Sequence, residues 1–131
     1  MERQVEVRER AVHYYVSSSG ACPFREWREA ISDQLTKAAV DARIARLRSG
    51  NFGDSRPIGA GASESRIDLG PGYRVYYGVD GDDLILLAGG TKSSQSADID
   101  KANSFWMDYK ERKRNAQKAR LQSGPSRRSK K

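Results

Sequence analysis

Residues 63–90 read SESRIDLGPGYRVYYGVDGDDLILLAGG, three runs rich in β-branched, aromatic and aliphatic residues separated by two short breaks. The breaks are Gly70-Pro71-Gly72 and Asp80-Gly81-Asp82. Glycine adopts positive φ without a Cβ clash, proline pre-sets φ and aspartate bonds its own backbone, so both breaks favour tight reversals. Reversals this short join antiparallel neighbours, and the segment is predicted to form a three-strand antiparallel meander. Its last run, LILLA at 84–88, is apolar at every position, which places it inside the sheet and covered on both faces.

Upstream, AVHYYV at 11–16 has strand composition and is followed by the turn-forming SSSG. This first strand could begin as early as Val5. Pro23 then occupies a favoured first helical position, and Phe24, Trp27, Ile31 and Leu35 recur at helical spacing through FREWREAISDQL. Thr36 is placed to cap a second helix with an apolar stripe of Ala39, Val40, Ala42, Ile44 and Leu47, ended by Gly50. Residues 51–62, NFGDSRPIGAGA, form a Gly-rich connection that reads equally as a functional loop or a surface linker. Downstream, residues 96–121 suit a helix that starts with Ala97, Ile99, Ala102, Phe105, Trp106 and Tyr109 and then turns basic. Its first half is expected to dock on the body, and the terminal SGPSRRSKK is expected to be disordered.

A chain of 131 residues allows a single core. The net charge of +7 is uneven: residues 1–103 carry 14 Lys/Arg against 15 Asp/Glu, whereas residues 104–131 carry 10 against 2. The basic character belongs to the C-terminal segment, and its excess of +8 suits neutralisation of nucleic-acid phosphates or a solubilising end. The single Cys22 excludes an internal disulfide, and with one histidine, His13, there is no Cys/His metal cluster. No metal or small-molecule cofactor is expected. The N-terminal MERQVEVRER lacks the apolar run of a signal peptide, and no stretch approaches a membrane span, so a cytoplasmic protein without a membrane partner is expected.

Pairing the first hairpin across a Gly70–Gly72 loop sets Asp68 against Arg74, Ile67 against Val75 and Arg66 against Tyr76. Ile67, Leu69, Tyr73, Val75 and Tyr77 then share a packing face, while Glu64, Arg66, Asp68, Arg74 and Tyr76 share the other. Two explanations fit the polar face. One is a solvated surface with cross-strand ion pairs. The other is a basic concavity, completed by Arg56 and Lys92, that holds a phosphate backbone, with Tyr76 stacked on a base.

The ordered set PFREW, ARIARL, GNFGD, RIDLGPGYRVYYG, LILLAGG and KSSQSADI resembles the addiction-module killer proteins, a HigB-like branch of the RelE/ParE superfamily of toxins. The resemblance covers roughly residues 5–105. It implies a fold in which two N-terminal helices pack on an antiparallel sheet, which agrees with the α+β domain expected over residues 1–103, its sheet of about four strands made of the N-terminal strand plus the meander. A basic helix and disordered tail over 104–131 would extend it. The family implies the toxin of a type II toxin–antitoxin module, an mRNA endonuclease acting on the ribosome and neutralised by a cognate antitoxin protein. Carried over by position, Arg74 matches the arginine that contacts the scissile phosphate in similar toxins, Arg66 falls near basic residues of the preceding strand, and Lys92 matches a basic position after the last strand. These three are the candidate catalytic residues; Arg56, Tyr76 and Asp68 are candidates for binding the RNA.

Cleavage by attack of a ribose 2′-hydroxyl on the adjacent phosphate needs a base, charge stabilisation and an acid. Arginine meets the second need, Lys92 the third, and Asp68 or Glu64 is the candidate base if burial raises its pKa. Thr91, Ser65 and Asp98 depart from the residues that relatives usually carry there. His13 reads as a surface strand residue, Trp27 and Trp106 as docking residues on apolar helical stripes, and Cys22 as passive. Two other functions share the architecture: a ParE-like inhibitor of DNA gyrase, which works by binding, and a remnant that binds only an antitoxin or nucleic acid.

Overall fold

The computed structural model describes the backbone of residues 9–128 and the side chains of residues 9–122. The fold is α+β. Its elements run β1 (Ala11–Tyr14), α1 (Pro23–Ala30), α2 (Gln34–Arg48), β2 (Ser55–Gly59), β3 (Ala62–Ile67), β4 (Tyr73–Asp80), β5 (Asp83–Thr91), a 3-10 turn (Lys92–Ser94) and α3 (Gln95–Arg128).

The sheet differs from the expected antiparallel sheet of four strands. Among the described residues it has five strands in the order β1-β5-β4-β3-β2, and β1 lies parallel to β5, with Ala11 beside Asp83 and Tyr14 beside Leu86. The extra strand, β2, comes from the Gly-rich connection. Pro57 and Gly59 hide its strand character, but an edge strand tolerates a proline because it needs hydrogen bonds on one side only. Gly59, Ala60 and Gly61 all take positive φ in the reversal into β3.

The first hairpin also closes two residues earlier than predicted. Ile67 pairs with Tyr73, Arg66 with Arg74 and Glu64 with Tyr76. Residues 68–72 form the connection, in which Leu69 N donates to Ile67 O and Gly72 N to Leu69 O. A slip of two preserves side-chain parity, so Glu64, Arg66, Arg74 and Tyr76 share one face and Ile67, Tyr73, Val75 and Tyr77 the other, while Asp68 and Leu69 leave the strand for the connection.

The two faces have separate cores. On one, Phe24, Val40 and Leu47 of α1 and α2 pack with Ile67, Val75, Tyr77, Leu84 and Leu86. On the other, Ala102 and Trp106 of α3 cover Ala62, Tyr76, Ile85, Leu87 and Ala88. The helices therefore sandwich the sheet. Adjacent glycines in β5 serve the two sides: a Cβ on Gly89 would lie 2.1 Å from Trp27 of α1, and one on Gly90 would lie 1.8 Å from Asp98 of α3. As expected, β5 is an interior strand buried over 84–88.

Helix α1 ends at Ala30, short of the predicted Leu35. Asp33 caps α2, its Oδ2 accepting from the Thr36 backbone N at 3.2 Å and from the Thr36 hydroxyl at 2.7 Å. The cap is one turn from the hydroxyl expected to provide it, and aspartate serves because its carboxylate reaches the same orphan N–H. Helix α3 runs unbroken across positions 103 and 104 and continues to Arg128, through six residues of the terminal segment expected to be disordered; residues 129–131, and Val5 at the other end, lie outside the described residues. His13 is exposed and 3.1 Å from Asp83, Trp27 and Trp106 dock their helices, and Cys22 is a buried free thiol. Among the described residues, no helix is long and apolar enough to cross a membrane.

Candidate nucleic-acid interface

The centre of the polar face is the fully buried carboxylate of Glu64 on β3. Strand alternation points it toward α3, and the register places it opposite Tyr76 and diagonal to Arg74. Its Oε1 accepts from Arg56 Nε at 2.8 Å; its Oε2 accepts from Gln95 Nε2 at 2.9 Å and from the Tyr76 hydroxyl at 3.2 Å. Arg74 Nε lies 3.4 Å from the same Oε2 without the alignment of a hydrogen bond. Burial by itself would raise the Glu64 pKa. The hydrogen bonds from Arg56, Gln95 and Tyr76 and the Arg56 charge outweigh it, and the pKa is lowered, so the group is a carboxylate at neutral pH.

Beside this carboxylate opens a polar cleft of about 440 Å³ lined by Gly53, Asp54, Ser55, Arg56, Arg66, Arg74 and Gln95. Three guanidinium groups and one carboxylate meet there. Arg56 and Arg66 are exposed, whereas Arg74 keeps only 7% of its surface. Arg66 and Arg74 stand directly opposite each other, an arrangement of like charges that costs energy in an isolated strand pair. Glu64 offsets it from below. A cleft of this kind presents fixed donors to an anion, with two arginines held before any ligand arrives.

The remaining candidates lie outside that lining. Lys92 opens the 3-10 turn with its side chain exposed, and its backbone N donates to Gly72 O at 3.0 Å. A Cβ on Gly72 would sit 3.6 Å from Arg74 Nη1 and 3.8 Å from Lys92 Cβ, so Lys92 borders Arg74 across a glycine. Asp68 is exposed on the 68–72 connection. Tyr76 does not stand where a base could stack on it: the ring is fully buried under α3, and burial, the Glu64 and Asp98 charges and the hydrogen bond to Glu64 raise its pKa. Glu64 is also unsuited to be the base, because its pKa is lowered and donors already engage both oxygens.

Four lining residues, Gly53, Asp54, Ser55 and Gln95, have no counterpart among the residues predicted for the site. Gln95 enters because the 3-10 turn swings the start of α3 over the end of β3, a geometry with no compositional signal. Asp54 precedes β2, the strand hidden by its proline and glycines; its backbone O accepts from Arg66 N at 3.1 Å. Ser65 proves to be an inward polar pair: it is fully buried, and its hydroxyl lies 2.9 Å from Arg43 Nη1 of α2. Asp98 accepts from Ser94 Oγ at 2.5 Å, and Thr91 and Ser94 form a reciprocal cap at the turn. Among the described residues, no group of three His, Cys, Asp or Glu side chains is placed to hold a metal ion.

The chain is similar to an uncharacterized protein of Haemophilus influenzae, with 46% identity over 80 residues that cover 60% of this chain and 81% of the relative. No family model matches the chain, and no solved structure matches it.

Proposed function

We propose, for a chain that belongs to the same family as this Haemophilus influenzae protein, that the arginine cleft binds an RNA phosphodiester and that the protein is an mRNA endonuclease. It would act as the toxin of a type II toxin–antitoxin module, on the ribosome and under the control of a cognate antitoxin. One observation carries the reading: Arg56, Arg66 and Arg74 converge on one cleft, and a buried carboxylate holds two of them.

In this reading the guanidinium groups bind the scissile phosphate and stabilise the charge that grows on its oxygens. The ribose 2′-oxygen forms a bond to phosphorus while the bond to the 5′-oxygen breaks, leaving a cyclic 2′,3′-phosphate and a free 5′-hydroxyl. Asp54, the carboxylate on the cleft wall, takes the proton of the 2′-hydroxyl, and Lys92, beside Arg74, gives one to the departing 5′-oxygen. Positioning of the RNA supplies much of the rate, because the ribosome holds the message in register with these groups.

Primer extension on mRNA after induced expression tests the proposal. Codon-spaced cuts that vanish in Arg66→Ala and in Arg74→Lys are expected. Intact message from the unaltered protein at full growth arrest would refute it.

A second reading, a gyrase inhibitor that works by binding, draws on the composition of the cleft wall, which among the described residues contains neither histidine nor tyrosine. In that case the message stays whole and DNA breaks accumulate.

A further inference from the structure

Helix α3 changes character along its length while keeping its direction. Ala102 and Trp106 are buried against the sheet, and from Lys110 through Gln122 every residue is exposed. The transition is fastened at two points. Asp108 Oδ2 accepts from the Tyr15 hydroxyl at 2.7 Å and from Arg112 Nε at 3.0 Å, and Arg112 Nη2 also reaches Val16 O at 2.6 Å. Asp80 accepts from the Tyr109 hydroxyl at 2.8 Å and pairs with Lys113. The helix therefore leaves the body at a defined place and angle.

What it carries past that place is charge. Over 110–122 there are six Lys/Arg and one acidic residue, Glu111. At 3.6 residues per turn, Lys110, Lys113, Arg114, Lys118 and Arg120 fall within one arc of about 160°. That arc continues the side which, further back, holds Trp106 against the sheet. None of the ion pairs among the described residues engages Arg114, Lys118 or Arg120. The opposite side, with Asp108, Glu111, Asn115, Ala119 and Gln122, has no apolar stripe, which removes the feature that a membrane-surface helix needs.

We infer that the projecting half of α3 is a docking arm for the phosphate backbone of double-stranded RNA. A row of cations on a pre-formed helix neutralises phosphates and releases their counterions without reading sequence. Lys113 lies about 27 Å along the helix from Gln95 at the cleft, so cleft and arm meet separate stretches of a polyanion, and a straight, pre-formed row of cations matches the regular phosphate rows of a duplex. The choice of RNA over DNA rests on the proposed function of the cleft; the arm itself does not.

The test uses the full-length protein and a fluorescent 24-base-pair RNA duplex, with anisotropy recorded across a salt series. The triple variant Arg114→Gln, Lys118→Gln, Arg120→Gln alters exposed side chains only, and circular dichroism checks its helix. The slope of log affinity against log salt is expected to shrink by about two to three in this variant. An unchanged slope overturns the arm, as does equal competition by polyglutamate at matched charge. A DNA duplex bound as tightly through the same three residues overturns the choice of RNA. Arg66→Ala separates the two sites: the arm stands if that variant retains the duplex slope, even should cleavage prove independent of the cleft.

Discussion

The amide of Gln95 donates to Glu64 Oε2 at 2.9 Å, joining the first residue of α3 to the carboxylate beneath the arginine cleft. Through this bond, packing of the third helix and preorganisation of the cleft share one buried group. Gln95→Ala removes a donor from a buried carboxylate, which costs about 1.5–3 kcal/mol for a hydrogen bond to a charged group. The urea midpoint is expected to fall accordingly, and RNA affinity to fall with it. A variant as stable as the parent would show that the bond is not maintained in solution.

Glu64 itself should be more sensitive. Glu64→Ala leaves Arg74 buried without its counter-charge, a loss of about 3–5 kcal/mol. Glu64→Gln retains the shape and part of the bonding and should be milder. Urea denaturation gives the order; equal losses in the two variants would mean that the charge contributes nothing.

Stability should decline at both ends of the pH range. Glu64, Asp41 and Asp80 have lowered pKa values, from the bonds and charges at Glu64, from Arg28 at Asp41, and from Lys113 and Tyr109 at Asp80. Their contribution is complete above the unfolded carboxylate values of about 4 and is lost as pH falls through the lower folded values. Tyr76 and Tyr109 are raised, chiefly by burial, so their contribution is complete below about pH 10 and is lost as pH climbs beyond it. Ultraviolet titration should find these two phenols silent at pH 10 to 11. Simultaneous ionisation of all six tyrosines in the folded protein would contradict their burial.

Gly89→Ala would drive a Cβ to 2.1 Å from Trp27, well inside contact distance. Overpacking of this kind costs about 1–3 kcal/mol, and α1 is the element that must move. A lowered thermal midpoint with altered tryptophan fluorescence is expected. The same change at Gly81, where a Cβ meets nothing within 4 Å, should perturb no tryptophan and act only through its positive φ.

Much of this fold could be read from residue patterns, and the misreadings have specific causes. Runs with strong local signals, such as RVYYGV, LILLA and PFREW, became the strands and helix expected. Parity survived an incorrect hairpin register because the error was an even number of residues. β2 was missed because edge strands admit the proline and glycines that usually mark loops. The parallel β1–β5 pairing joins residues about 70 positions apart, and no local pattern reports such a partner. In the cleft, Arg56, Arg66 and Arg74 were identifiable as basic residues on one side of the sheet. The burial of Tyr76 and Glu64 was not, because it depends on α3 folding back over a face that alternation alone marks as polar.

The pairing of β1 with β5 has a consequence for how the protein is made. Because Ala11–Tyr14 adds to the sheet beside Asp83–Thr91, the first strand emerges during synthesis long before its neighbour exists. Local helices and the β2–β4 hairpins can form as they appear, but the sheet's last edge closes only after the chain reaches the end of β5, and loop closure over that span slows the step. Until then AVHYYV is an unpaired apolar segment, a natural point for a holding factor or for self-association on the nascent chain.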